Sequence, residues 1–220
     1  MNKIKRITGA NGKPFNKEYW KKIYGDGTDV DGTFNAYKHA RYIYNLLSLM
    51  EIPVLTLGDI GFGKGILLHE FSKAFQPQRI IAVDPSIEMI KELSGKDWIQ
   101  QFDIAVFHSD LKSLDIKYLK NKPLDLAICN SVFQYIQNET DFLFKKLASI
   151  SNYVYFTVPT KNDYERMEKD IPFTDPYAYS RTKEYYYIQI SKYFNIVSFN
   201  LLESKLNIKD SRFCDELYRF

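Results

Sequence analysis

Cysteine is almost missing from this chain. Cys129 and Cys214 are the two in 220 residues, and neither belongs to a Cys-x-x-Cys pair, so no disulfide framework and no thiolate zinc site is expected. His39, His69 and His108 stand at no metal-ligand spacing with them, and no metal centre is expected. Long apolar runs are lacking too. None approaches the ~20 residues needed to span a bilayer, and the basic, polar stretch 1–15 has no signal-type apolar core. No membrane association and no targeting segment are therefore expected, and a reducing cytoplasm is the expected compartment. Charge of one sign is also scarce. Thirty Lys+Arg against 27 Asp+Glu leave +3, too little to drive sequence-independent phosphate binding, which argues against a nucleic-acid partner.

Hydrophobic residues make up 45% and charged residues 26%, an ordinary globular balance that fits one α/β domain at this length. Tyrosine and phenylalanine are abundant, 17 and 16, and core packing accounts for most of them. From residue 54 onward, strand-like apolar runs alternate with helical patterns. Strands are expected over 54–60, 79–84, 104–109, 124–130, 153–158, 196–202 and 212–220, the last two as a closing hairpin. Helices are expected over 15–24, 34–50 (with Tyr37, Ile43, Leu46, Leu47 and Met50 on one side), 65–75, after an N-cap at Ser86, from a cap at Thr140 through 147, and over 183–194. This pattern predicts a doubly wound α/β fold. Its sheet is seven-stranded and mainly parallel, with a C-terminal antiparallel hairpin and N-terminal helices.

The most informative stretch is Leu57-Gly58-Asp59-Ile60-Gly61-Phe62-Gly63-Lys64-Gly65, a glycine-rich turn between a strand and a helix, where a ligand can approach the backbone and the helix start offers unpaired N–H groups. A nucleoside triphosphate fits poorly. Gly58 to Lys64 match the phosphate-loop spacing, but Gly65 stands where a Ser or Thr must ligate Mg²⁺, and Asp59 would repel phosphate. A dinucleotide fits poorly as well, because G-x-G-x-x-G lacks its third glycine from either Gly61 or Gly63. An NAD(P)-dependent oxidoreductase stays an alternative only through Asp84, at the end of the second strand. S-adenosylmethionine carries an ammonium, a sulfonium and a ribose diol, so acidic groups around it are favourable.

An acid closing strand one before G-x-G-x-G, as in Asp59-Ile60-Gly61-Phe62-Gly63-Lys64-Gly65, resembles the class I S-adenosylmethionine-dependent methyltransferase family. Ile80-Ile81-Ala82-Val83-Asp84-Pro85-Ser86 looks like its second motif, and Phe107-His108-Ser109-Asp110-Leu111 is similar to its third. Leu124-Asp125-Leu126-Ala127-Ile128-Cys129-Asn130, leading into Ser131, resembles the fourth-strand motif. The resemblance implies a Rossmann-like methyltransferase fold that binds S-adenosylmethionine. It implies a cofactor site built from Asp59, Ile60, Gly61, Phe62, Gly63, Asp84, Pro85, Ser109, Asp110, Leu111, Asn130 and Ser131. Asp84 would hold the ribose hydroxyls and Asp110 the adenine amino group, with Leu111 beside the ring.

No catalytic residue is assigned. Where many family members carry a histidine pair, this chain has Phe133-Gln134-Tyr135-Ile136, which keeps a non-catalytic binding protein of the same fold as an alternative. Tyr24, Gln134 and Tyr135 are the substrate-side candidates, with the aromatic N-terminus (Tyr19-Trp20 through Tyr24, and Phe34) and the segment 171–177 as pocket walls. The division expected is a helical lid at 1–33, hinged at 25–27 and 31–32, over a cofactor-binding domain at 34–220. The motifs of DNA-amino and cytosine-5 methylation are missing, since Asn130 leads into Ser131 and Val132, Ile128 precedes Cys129 and Phe213 precedes Cys214. A methyl acceptor O or N on a small molecule or sugar is expected by elimination. The oligomeric state is not legible.

Overall fold

In the computed structural model, which describes residues 18, 19, 21, 33–115, 117–120, 122–170, 175 and 177–213, a helix α1 (Ala36–Leu49) precedes a regular alternation of strands and helices. These are β1 (Thr56–Ile60), α2 (Ile66–Phe75), β2 (Arg79–Asp84), α3 (Ile87–Ser94), β3 (Ile104–His108), α4 (Lys117–Lys120), β4 (Leu124–Asn130), α5 (Thr140–Ile150), β5 (Ser151–Thr157), α6 (Lys161–Asp170), α7 (Lys183–Ser191), β6 (Phe194–Ser198) and β7 (Leu201–Ser204). All seven strands share one sheet in the order β3-β2-β1-β4-β5-β7-β6. Strands β1 to β5 pair in parallel, and β7 runs antiparallel to both β5 and β6.

The strand sequences explain the two-sided burial. Successive side chains on a strand point to opposite faces, and Arg79-Ile80-Ile81-Ala82-Val83 is apolar on both. Ile80 and Ala82 join a core with Ala40, Ile43 and Leu47 of α1, Leu68 and Phe71 of α2, and Met89 and Leu93 of α3. Ile81 and Val83 join the opposite core with Phe144 and Leu147 of α5 and Tyr186 and Ile190 of α7. Helices thus cover both faces, as a parallel sheet requires. Ser86 caps α3 as expected, its Oγ accepting the Met89 N–H at 3.4 Å.

Several expectations need correction. The stripe of α1 that meets the sheet is Ala36, Ala40, Ile43 and Leu47, and Tyr37 is 47% exposed. Two alanines let the helix lie close, and a bulky residue one position further on turns about 100° away. Thr140 is no cap. It is the first residue of α5, and its buried hydroxyl finds no hydrogen-bond partner among the described residues. The hairpin lies earlier than expected. The run 196–202 is not one strand, because Asn200 adopts a left-handed φ of 57° that Asn tolerates and folds β6 back onto β7 within a short turn. Strand seven is therefore β7. Arg212 and Phe213 form no strand, and 214–220 lie outside the described residues. So do the lid hinges, most of 171–177, and the helix expected at 15–24, apart from Glu18, Tyr19 and Lys21, which are helical. Among the described residues no helix is long and apolar enough to cross a membrane.

Candidate functional site

The strand order reverses direction between β1 and β4, and in open α/β sheets the crevice beyond the carboxyl ends of the strands at such a switch point is where ligands bind. The chain leaves β1 through Gly61, whose φ is 79° and whose N–H donates to the Val83 carbonyl at 2.7 Å. A Cβ there would stand 2.6 Å from Val132 Cγ2, just beyond β4. Gly65, at φ 69°, then starts α2. The exit from β4 also bends through a left-handed residue, Ser131 at φ 55°. Beside it, Asn130 Oδ1 accepts the hydroxyl of Thr157 from β5.

These turns enclose a cavity of about 580 Å³, a size suited to a small organic ligand. Every member of the predicted cofactor set lines it: Asp59, Ile60, Gly61, Phe62, Gly63, Asp84, Pro85, Ser109, Asp110, Leu111, Asn130 and Ser131. On the same walls stand Tyr19, which belongs to the aromatic N-terminus expected as a pocket wall, and Lys64, Ile66, Leu67, Lys112, Val132, Ile136, Gln137, Glu139 and Leu143, which the sequence reading missed. Several of these are motif neighbours that spacing could have suggested. What the sequence does not show is that Tyr19 meets Tyr135, 116 residues away.

Of the substrate-side candidates, Tyr135 lines the cavity and Tyr24 lies outside the described residues. Gln134 is a correction. It is 2% exposed, is not on the cavity wall, and its Oε1 has no hydrogen-bond partner among the described residues. Residues 133–135 form a 3-10 turn, which rotates about 120° per residue and sends the three side chains in different directions. Phe133 stacks on Phe144 at 4.0 Å, and only Tyr135 reaches the cavity. No histidine lines the cavity. His69 stacks on Trp98, His39 packs against Tyr155 and Phe199, and His108 Nε2 lies 3.0 Å from the Pro85 carbonyl, which it can meet only as a donor.

Burial raises the carboxyl pKa of two acids on the cavity wall. Asp59 is 2% exposed. Burial first, and the nearby Asp84 second, hold its carboxyl well above the usual carboxylate range. No donor or cation among the described residues contacts it. Asp84, 3% exposed, is pushed up to about 6 by burial, although the Ser86 and Gly63 N–H groups and His108 pull the other way. Those N–H groups donate to its two oxygens, Gly63 to Oδ2 at 2.9 Å and Ser86 to Oδ1 at 2.8 Å. Asp84 thus ties the glycine turn to the start of α3. Asp110 is more exposed, and its Oδ1 accepts the Ser113 N–H at 2.7 Å, so it is a turn residue as well as part of the cavity wall. Two carbonyls of that turn, Lys112 and Leu114, accept Nζ of the buried Lys146, both at 2.7 Å, which fixes the wall bearing Asp110 and Leu111. Among the described residues no group of three or more His, Cys, Asp or Glu could hold a metal ion.

Residues 58–152 match the family model described as a methyltransferase domain. No curated protein matches the sequence. Among solved structures the chain is similar to the plantazolicin methyltransferase BpumL in complex with SAH, at 16% identity and a TM-score of 0.65 over 80% of this chain and 70% of that one. It is also similar to an S-adenosylmethionine-dependent methyltransferase from Clostridium acetobutylicum, at 16% identity, TM-score 0.62, and 85% and 96% coverage. A third is the magnesium protoporphyrin IX methyltransferase ChlM from Synechocystis with bound SAH, at 20% identity, TM-score 0.57, and 84% and 91% coverage. At such identities these likenesses bear on the fold.

Proposed function

We propose that this chain, whose residues 58–152 match a methyltransferase domain, is a class I, S-adenosylmethionine-dependent methyltransferase and that it methylates an O or N of a small molecule or sugar. The observation that carries the reading is convergence. Asp59, Asp84 and Asp110, at or just past the ends of three neighbouring strands, line one cavity with the glycine turn.

The residues present fit the cofactor. Asp59 is a buried carboxylate with no cation among the described residues, and a sulfonium or ammonium beside it would offset the burial. Asp84 keeps further lone pairs on both oxygens after accepting Gly63 and Ser86 and can take two ribose hydroxyls. Asp110 Oδ2 and Leu111 would hold the adenine. When bound, S-adenosylmethionine supplies an electrophilic methyl group on a cationic sulfur. The chain's part is then positioning and exclusion of water, which needs little covalent machinery and agrees with the lack of a histidine on the cavity wall.

The titration of Asp84 gives the test. Its carboxyl has a higher pKa folded, about 6, than the ordinary aspartate value of 3.8. The ligand-free fold therefore binds that proton more tightly than the unfolded chain does. The associated stability is fully present below about pH 4 and is lost as pH rises through about 6. A ligand that donates hydrogen bonds and brings positive charge favours the ionised form and releases the proton. Calorimetric titration with S-adenosylmethionine should show affinity rising from about pH 5 to about pH 7, by at most about tenfold per pH unit for each proton released. The binding heat should vary with the ionisation enthalpy of the buffer, and a nicotinamide dinucleotide should bind weakly. Absence of S-adenosylmethionine binding, or tighter binding of the dinucleotide, would overturn the reading.

A further inference from the structure

Helix α5 is buried around most of its circumference, through Leu143, Phe144, Leu147, Ala148 and Ile150. Lys146 lies within that buried sector and is 8% exposed. An amine held out of water costs stability unless its N–H groups are paired. Nζ donates to two main-chain carbonyls, those of Lys112 and Leu114, each at 2.7 Å. Burial lowers its pKa, while the charges of Asp110 and Asp115 favour the ammonium. Both carbonyls belong to the turn that follows β3, and Leu111 and Leu114 of that turn share a core with Leu143 and Leu147.

The turn is held from two sides. From within, the Asp110 carbonyl accepts the Leu114 N–H at 3.0 Å and Asp110 Oδ1 accepts the Ser113 N–H at 2.7 Å. Such a helical turn leaves its last carbonyls without donors of its own, and Lys146 supplies them from behind. Asp110, Leu111 and Lys112 line the cavity, and Lys146 does not. With Oδ1 engaged by Ser113, the shape of the turn sets the direction of Oδ2. An ionised carboxylate only accepts. A base that presents an amino group to Oδ2 therefore meets its complement, whereas one that presents a carbonyl oxygen meets acceptor against acceptor. How sharply the two are told apart depends on how firmly the turn holds Asp110. Without Nζ, two carbonyls at the back of the turn lose their donor, and a main-chain acceptor left without one draws the chain toward water.

We propose that Lys146 is the positioning residue of the nucleobase subsite, and that its clamp on the Lys112 and Leu114 carbonyls makes the site select a 6-amino over a 6-oxo purine. This rests on the methyltransferase reading above, and the test keeps the two separable. S-adenosylhomocysteine and its 6-oxo counterpart, S-inosylhomocysteine, are titrated calorimetrically into the full chain. The parent should bind the amino compound about tenfold or more tighter. Lys146→Met keeps the length of the side chain but no donor, and should bring the ratio of the two affinities to within about threefold of one. A role in stability alone would lower both affinities together and leave the ratio where it was. Lys146→Gln still donates to a carbonyl, so it should give an intermediate ratio, and it carries the test should Lys146→Met fail to fold. Failure of the parent to bind S-adenosylhomocysteine would sink the methyltransferase reading itself. With S-adenosylhomocysteine bound, this proposal alone is overturned by a parent that binds the two compounds equally, or by a folded variant that keeps the parent's ratio.

Discussion

Asp84→Ala is expected to weaken S-adenosylhomocysteine binding by about a hundredfold or more. Hydrogen bonds to a charged group contribute about 1.5 to 3 kcal/mol each, and a hundredfold corresponds to about 2.7 kcal/mol, so losing the ribose contacts alone approaches that figure. The structure adds a second loss. Asp84 also accepts the Gly63 and Ser86 N–H groups, and without it the turn that shapes the cavity floor loses its tie to α3. Asp84→Asn separates the two effects. An amide keeps the volume but turns a donor toward one of those N–H groups and carries no charge, so it should impair binding nearly as much. The raised pKa of Asp84 means the fold carries this carboxylate against its own stability at neutral pH, as expected of a group placed for a ligand. Calorimetry decides the point, and an affinity within about threefold of the parent for both variants would refute the assignment.

Gly61→Ala is expected to lower folding stability by about 2 to 4 kcal/mol and to remove cofactor binding. Alanine in the left-handed region costs roughly 1 to 2 kcal/mol, and the φ of 79° is fixed by the Gly61 N–H bond to Val83. The added methyl would also sit 2.6 Å from Val132 Cγ2, an overlap that costs about 1 to 3 kcal/mol unless the chain shifts. A second substitution tests that division. Val132→Ala on top of Gly61→Ala removes the overlap but not the backbone strain, so it should recover part of the loss. Denaturant unfolding measures both, and an unchanged midpoint for Gly61→Ala would contradict the account.

The cofactor side of the cavity was legible in the sequence because its signals are short-range. Asp59 and Gly61 to Gly65 fall within seven consecutive residues, and Asp84 and Asp110 each follow a run that reads as a strand. Their partners are dictated by parallel pairing, which sets Asp59 beside Ala82 and Ile128. On the opposite wall the sequence marks Tyr135, the aromatic N-terminus from Tyr19 and the segment 171–177 separately as candidates, but not their meeting. Tyr19, Tyr135 and Asp175 come together only through tertiary packing, and no local pattern links positions 116 and 40 residues apart. Gln134 failed because hydrogen-bonding capacity says nothing about direction within a 3-10 turn. The hairpin was misplaced for a related reason. Ser198 and Asn200 interrupt an otherwise apolar run without glycine or proline, and only the backbone shows that Asn200 turns it. Tyr37 misled through size, where Ala36 and Ala40 set the buried face.

Strands β1 and β4 touch along Leu57 to Leu126, yet the whole of β2 and β3 lies between them in the chain. The crevice is therefore a seam closed between two halves. The acids come from one half, and Asn130, Ser131 and Tyr135 come from the other. A fragment ending before Leu124 would hold all three acids and still enclose nothing. Any molecule lodged in the seam braces one half against the other, so the heat resistance of the whole chain grows with the logarithm of that molecule's concentration.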